Sequence, residues 1–251
     1  MPAPVTIDAR HHDAVLFDMD GVLTDTASVH AVAWTELFDG FLARRPSRPE
    51  EDHSPFTAAD YRAHVDGKPR EDGIVDFLAA RGISLPLGST TDTGADTVWG
   101  LAAAKQHSFE RLLDTGLTVF ESTVALVRNL RDLGFGVALY TSSRNCGRVL
   151  HAARLDDLFA VCVDGLLTEA LGLPGKPDPA VLLEAADRLS VRPDRCVVID
   201  DGRSGLAAGR KGGFAMMIGV ARADGAQDEL LAAGADAVVR DLAEVRVTGP
   251  R

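Results

Sequence analysis

The sequence predicts an α/β protein, with a Rossmann-like, doubly wound parallel sheet as its core and an all-helical cap inserted into it. Three observations carry that expectation. From about residue 114 onward, short apolar runs alternate with helical patterns, as they do in βαβ units. A similar run, Ala14-Val15-Leu16-Phe17, stands near the start and is apolar throughout, like a strand buried on both faces. Between the two, residues 27–113 show helical spacing and no strand signal. The expected organisation is an α/β core from 1–26 and 114–251, with 27–113 as a helical insertion.

Taken in order, residues 1–12 hold two prolines and His11-His12 and read as a loose lead-in. The histidine pair could bind a metal, but a solvated pair is the simpler reading. The first strand runs into Asp18-Met19-Asp20-Gly21. Strand alternation sends Asp18 and Asp20 to one side if extended geometry persists through Met19. That end of a parallel strand is where open α/β sheets place ligands, and Gly21 lets the chain turn away sharply. An ordinary acidic turn is the plain alternative. Thr26 or Ser28 can cap a helix through about Leu42, with Val29, Val32, Ala33, Leu37 and Phe41 at helical spacing. The stretch 43–56 is polar and broken by prolines, and is expected to be a solvated loop rather than a partner surface. Further cap helices are expected at 57–65, 71–81 and 96–113, with a Gly/Thr/Asp-rich loop at 88–96.

The remaining strands are Val137-Ala138-Leu139-Tyr140, Ala160-Val161-Cys162-Val163, Cys196-Val197-Val198-Ile199, Ala215-Met216-Met217-Ile218 and Ala237-Val238-Val239. Helices are expected at 121–133, 145–154, 178–189, 203–211 and 226–233. A net charge of -11 argues against nucleic acid or an anionic membrane as the main partner. A phosphate ester would therefore need local cations. Cys146, Cys162 and Cys196 lack metal-ligand spacing and suit a reducing compartment. No apolar run is long enough to span a bilayer, and the first twelve residues lack a signal-peptide core. The expected setting is cytoplasmic and the expected state a monomer.

Four polar segments can converge at one edge of such a sheet: Asp18/Asp20, Thr141-Ser142-Ser143-Arg144-Asn145, Gly175-Lys176-Pro177-Asp178-Pro179 and Asp200-Asp201-Gly202. Singly, each reads equally well as a helix cap, a loop or a turn. Their joint occurrence, in this order, does not. Asp18-Met19-Asp20-Gly21-Val22-Leu23-Thr24-Asp25, Thr141, Lys176 and Asp200-Asp201 resemble the four signatures of the haloacid dehalogenase superfamily of phosphotransferases. The resemblance covers essentially all of residues 14–240, and the insertion matches that superfamily's helical cap.

The resemblance implies a role for each residue. Asp18 is the nucleophile that forms an aspartyl-phosphate. Mg²⁺ is held by Asp18, the Asp20 backbone carbonyl and Asp201, with Asp200 supporting it directly or through water. The ion and Lys176 neutralise charge between carboxylate and phosphate. The Thr141 hydroxyl binds the transferring phosphoryl oxygens, and Asp20 is the general acid and base. An aspartate at position 20 suits a phosphatase or mutase and disfavours an ATPase pump, and a dehalogenase would need neither Asp20 nor Asp201.

Finer features resemble the β-phosphoglucomutase-like subfamily. Thr24-Asp25-Thr26, His30 and Trp34 resemble its hinge and first cap helix, with His30 supporting the acid/base aspartate as the cap closes. Asp66-Gly67-Lys68-Pro69-Arg70-Glu71-Asp72 resembles its cap substrate loop, in which Arg70 would grip the non-transferring phosphate. Thr141-Ser142-Ser143-Arg144-Asn145 resembles its core specificity loop. There Ser143 and Asn145 contact the same phosphate, with Ser142 and Arg144 close by. Lys105 falls near the cap lysine that contacts substrate. The alternative for Arg70 is an exposed helix-start residue paired with Glu71 or Asp72. The sequence departs from the subfamily at Ala103-Ala104-Lys105-Gln106-His107, at Asp66 in place of a lysine, at Asp200 in place of a glutamate and at Gly202. The implied function is a mutase interconverting β-glucose 1-phosphate and glucose 6-phosphate, acting on a small phosphorylated sugar. A sugar-phosphate phosphatase is the alternative, and a non-catalytic binding protein a remote one.

Overall fold

In the computed structural model, residues 5–66, 68–113, 116–222 and 225–249 are described. The strands are β1 Thr6–Asp8, β2 Ala14–Asp18, β3 Gly136–Tyr140, β4 Val161–Val163, β5 Cys196–Asp200, β6 Met216–Val220, β7 Ala237–Val239 and β8 Arg246–Thr248. The helices are α1 Thr26–Arg44, α2 Ala58–Asp60, α3 Arg70–Ala80, α4 Val98–Leu113, α5 Glu121–Asp132, α6 Cys146–Ala152, α7 Gly165–Ala170, α8 Ala180–Arg188, α9 Arg203–Lys211 and α10 Ala226–Ala232. The chain divides into two units, Met1–Asp25 with Thr118–Arg251, and Thr26–Leu117. The break predicted at 113/114 adjoins residues 114–115, which lie outside the described residues, as does Gly67 of the predicted cap loop.

In the first unit, six strands form one parallel sheet in the order β4-β3-β2-β5-β6-β7. Ala14 pairs with Gly136 on one side and Cys196 on the other. From β2 the chain steps outward to β3 and β4, then crosses back to β5, β6 and β7, so β2 is the switch point. Such a reversal opens a crevice at the carboxyl ends of the strands beside it. Alternation along each strand builds two apolar layers. Leu16, Ala138, Tyr140 and Val198 pack with Leu182 and Ala185 of α8 and Leu206 of α9. Val15, Phe17, Val137, Leu139, Val197 and Ile199 point the other way and are equally buried, and α5 lies against β3. Burial on both faces explains the unbroken apolar runs, and each fully buried Leu, Ile or Phe contributes about 1.5–3 kcal/mol.

Residues 1–4 of the lead-in lie outside the described residues, and from residue 5 onward it is not loose. β1 pairs in parallel with β8, Thr6 with Arg246 through Asp8 with Thr248, and Ile7 is fully buried. His12 is buried too, its Nδ1 accepting the Asp8 N–H at 3.1 Å. A three-residue strand against another leaves too short an alternation to read from sequence. The short α7 was also missed, although Asp164 caps it by accepting the Leu167 N–H.

In the second unit, α1 and α3 both pack against α4. Trp34, Leu37, Phe38, Phe41 and Leu42 of α1 join Phe56, Ile74, Phe77, Leu78 and Leu101 in one core. At its centre Phe38 lies 4.1 Å from Phe77, and Phe56 lies 5.1 Å from both. Val32, expected on the apolar face, is 46% exposed, because the buried stripe follows 34-37-38-41-42 instead. The helix expected at 57–65 is α2 followed by a π-helical turn, Tyr61–Val65. The 43–56 stretch is a loop, as its prolines require, but a pinned one. Arg45 grips Glu51 with two donors at 2.7 and 2.8 Å, Arg81 donates to Asp52 at 2.5 Å, and Phe56 is buried. Among the described residues this unit contains no strand, and no described helix is long and apolar enough to cross a membrane.

Candidate active site

The last residues of three neighbouring strands, Asp18 of β2, Tyr140 of β3 and Asp200 of β5, meet at the switch point. Apolar alternation delivers each strand end to the crevice, and the residue type there decides the chemistry. Lys176, from the loop before α8, enters the same space. Its Nζ donates to Asp18 Oδ1 at 2.8 Å and approaches Asp200 Oδ2 at 3.4 Å. All three charged groups are buried.

Burial raises the Asp18 carboxyl above its ordinary value, and Asp200 and Asp20 add to this while Lys176 opposes it. For Lys176, burial alone works to lower the ammonium, but Asp18 and Asp200 outweigh it and raise it. The lysine is therefore held firmly charged. One oxygen each of Asp18, Asp200 and Asp201 lie within 4.8 Å of one another. Three carboxylates around one ammonium leave an excess of negative charge, which suits a hard divalent cation with oxygen ligands. The donor set fits Mg²⁺.

After β2 the chain closes into a tight turn. Leu23 and Thr24 donate to the Met19 carbonyl at 3.0 and 3.1 Å. Gly21 has a φ of +84° and lies so close to Asp201 that a Cβ there would stand 1.8 Å from Oδ2. Here glycine is required both by conformation and by contact. Asp20 accepts the Thr141 hydroxyl at 3.1 Å. Thr141 Oγ1 in turn accepts the Ser143 N–H at 3.0 Å, and Ser143 Oγ accepts the Asn145 N–H at 3.1 Å. The loop that contains Ser142 is thus folded on its own hydroxyls. It is tied to α7 by the Gly165 N–H on the Ser143 carbonyl at 2.9 Å and by Arg144 with Glu169 at 3.1 Å.

The predicted core residues Asp18, Thr141, Lys176, Asp200 and Asp201 come together with Asp20 around this crevice, and Asn145 is buried beside them. The predicted cap residues lie in the second unit and form a cluster of their own. Lys105 is only 2% exposed. Its ammonium donates to His30 Nδ1 and lies 5.1 Å from the Trp34 ring centroid and 4.8 Å from that of Phe109. His30 stacks on Phe109 at 4.1 Å. The sequence expectation put His30 on the acid/base aspartate and Lys105 on substrate. Within their own unit the two partner each other, because the aromatic faces of α1 and α4 enclose them. Arg70 opens α3 and reaches α4, donating to the Ala102 carbonyl at 3.2 Å and to Gln106 Oε1 at 2.6 Å.

Two residues that sequence reasoning passed over complete the core site. Tyr140 lies beneath Lys176, its ring centroid 5.1 Å from Nζ, and it hydrogen-bonds Asp200. In the sequence it stands only as the end of an apolar run. Arg222, just beyond β6, lies 3.6 Å over the Phe120 ring and donates to the Gly21 carbonyl at 3.0 Å. It thereby braces the turn that follows Asp20. A lone arginine after a strand gives no sequence signal for such a contact.

Residues 12–213 match the haloacid dehalogenase-like hydrolase family. A β-phosphoglucomutase of Mycobacterium bovis is 45% identical over 237 residues, covering 92% of this chain and 90% of that protein. An uncharacterized glycosyl hydrolase of Mycobacterium tuberculosis is 52% identical over 244 residues, covering 97% of this chain. The chain spans only 18% of that relative's length. The crystal structure of a β-phosphoglucomutase from Clostridium difficile superposes with a TM-score of 0.73 at 22% identity over 92% of each chain, a likeness of fold. With its acidic strand ends, its lysine and its relatives in agreement, the chain belongs to the haloacid dehalogenase-like hydrolase family of enzymes, in its β-phosphoglucomutase-like branch.

Proposed function

We propose that the chain catalyses Mg²⁺-dependent phosphoryl transfer through an aspartyl-phosphate on Asp18, interconverting β-glucose 1-phosphate and glucose 6-phosphate. The observation that carries this reading is Lys176 Nζ at 2.8 Å from Asp18 Oδ1 among carboxylates at neighbouring strand ends. An ammonium there orients the nucleophile and offsets repulsion between carboxylate and phosphate. Asp18 attacks phosphorus, the bond to the sugar oxygen breaks, and Asp20 gives that oxygen a proton. Asp20 then takes a proton from the sugar hydroxyl that attacks the aspartyl-phosphate, which restores Asp18. Thr141 holds Asp20 in place through its hydroxyl. Asp18, Asp201 and the Asp20 carbonyl, with Asp200, would hold Mg²⁺, which supplies neutralising charge to the transferring group.

For the non-transferring phosphate, Arg70 offers a planar fork already oriented by Ala102 and Gln106, and Ser143, Arg144 and Asn145 offer further polar groups, with Ser142 adjoining. His30 and Lys105 support the cap's part in substrate binding as a buried, mutually partnered pair. The same reading has a phosphorylated sugar as the only partner and a monomer acting in the cytoplasm. A sugar-phosphate phosphatase is the second reading, favoured by Asp66, an acid where the mutases carry a lysine. It differs only in that water attacks the aspartyl-phosphate.

The deciding experiment supplies Mg²⁺, β-glucose 1-phosphate and a trace of glucose 1,6-bisphosphate, and follows glucose 6-phosphate and free phosphate together. Glucose 6-phosphate without stoichiometric phosphate is expected. Free phosphate alone would establish the phosphatase. An Asp18→Asn control is expected to lose turnover by at least about a thousandfold, since the nucleophile cannot be replaced by an amide; full activity in that variant would sink both readings.

A further inference from the structure

Tyr140 ends β3 with a fully buried side chain. Its hydroxyl lies 2.7 Å from Asp200 Oδ2 and 3.2 Å from the Ile199 carbonyl. A phenol has one proton to give, and the nearer, charged acceptor takes it. The other Asp200 oxygen accepts the Gly202 N–H at 2.7 Å. On a further side, α9 passes so near that a Cβ on Gly205 would stand 1.6 Å from Asp200 Oδ2. Asp200 is therefore fixed in place.

Two donors reach the same Asp200 oxygen, the Tyr140 hydroxyl at 2.7 Å and the Lys176 ammonium at 3.4 Å. The ammonium instead makes its short contact, 2.8 Å, with Asp18. A buried cation between two carboxylates moves toward the one less well satisfied, because attraction is strong where water is excluded. Asp200 already has a donor on each oxygen, which leaves Asp18 as the less satisfied of the two.

We propose that Tyr140 is a positioning residue: its hydroxyl occupies Asp200 Oδ2 and so commits Lys176 to the nucleophile Asp18. The kinetic consequence rests on the phosphoryl-transfer reading of this site; the geometric one does not. Removing the hydroxyl while keeping the ring leaves Asp200 Oδ2 to Lys176, which then swings from Asp18.

The test compares crystal structures of the wild type, Tyr140→Phe and Tyr140→Phe/Asp200→Asn, each without added metal, with steady-state hydrolysis of p-nitrophenyl phosphate in Mg²⁺. In Tyr140→Phe, Nζ is expected at about 2.8 Å from Asp200 and beyond about 3.3 Å from Asp18, the limit of an ordinary hydrogen bond. In the double variant position 200 carries no charge, so Nζ is expected back on Asp18. The kinetic expectation is a kcat about tenfold lower with KM within about twofold, the pattern of a contact used in the transition state and not in ground-state binding. An unmoved Lys176 in Tyr140→Phe, or a Lys176 displaced equally in the double variant, overturns the inference. So does an unchanged kcat in Tyr140→Phe where the wild type turns over. If the wild type neither releases phosphate nor forms glucose 6-phosphate in the mutase assay but Lys176 moves as stated, the phosphoryl-transfer reading fails and the positioning role stands. Should the single variant fail to fold, the wild type and Asp200→Asn decide: Lys176 must remain on Asp18 in both, and its departure from Asp18 in Asp200→Asn overturns the proposal.

Discussion

Arg70 combines one contact the structure shows with one the proposed function assigns to it. Its guanidinium links α3 to α4 through Ala102 and Gln106, and under the proposed function it also meets the non-transferring phosphate. The first job is structural and modest, about 1 kcal/mol for ordinary hydrogen bonds, whereas a charged contact to phosphate is worth about 1.5–3 kcal/mol. Arg70→Ala should therefore lower glucose 6-phosphate formation by roughly ten- to a hundredfold. Hydrolysis of a small ester with no second phosphate should stay within about threefold, since that reaction never uses the clamp. Assaying the two substrates side by side checks this, and equal losses on both would mean that the arginine only holds the helices. Gly21 shows the opposite case, a residue whose single role is forced: the turn needs its φ of +84°, and Asp201 fills the space a side chain would take.

At the scale of elements, the loop between α1 and α2 carries a pH dependence. Arg45 grips Glu51 and holds its carboxyl down at about 2, against an ordinary value of 4.5. A carboxyl held below its unfolded value stabilises the folded state above that value, and the contribution is lost as pH falls toward the folded one. The window is therefore about 4.5 down to about 2. Acid titration of stability, followed by circular dichroism, should show a limb in that window which Glu51→Gln flattens. If the two titrations run parallel, the pair contributes nothing. The sequence showed this segment as a proline-broken loop and could show no more. Arg45–Glu51 and Arg81–Asp52 are partnerships between residues whose spacing obeys no helical or strand period. The same holds for β1 and β8, which meet from opposite ends of the chain.

At the scale of the whole molecule, the excess acid at the switch point predicts that metal and folding are linked. An ion that binds only the folded chain stabilises it by about 2.7 kcal/mol at a hundredfold excess over its dissociation constant. Thermal unfolding should therefore shift upward with Mg²⁺ and return to the metal-free value on chelation, and Asp201→Asn should abolish the shift. A shift that persists in that variant would move the ion away from the three carboxylates. Much of this was legible beforehand. Runs such as Ala14 to Phe17 and Cys196 to Ile199 are apolar because both sheet faces are covered, and the polar residues that break them stand at strand ends, where ligands bind. The sequence by itself thus determined the parallel α/β core, the helical insertion and the acids, lysine and threonine of the candidate site, since each is written in local period or in order along the chain. Only the tertiary structure decided that Tyr140 is a polar partner of Asp200 and Lys176, that Arg222 braces the turn after Asp20, and that Lys105 is enclosed with His30 between aromatic rings. Those contacts join residues far apart in the chain, and a side chain's partner across such distances is set by packing, which no local pattern encodes.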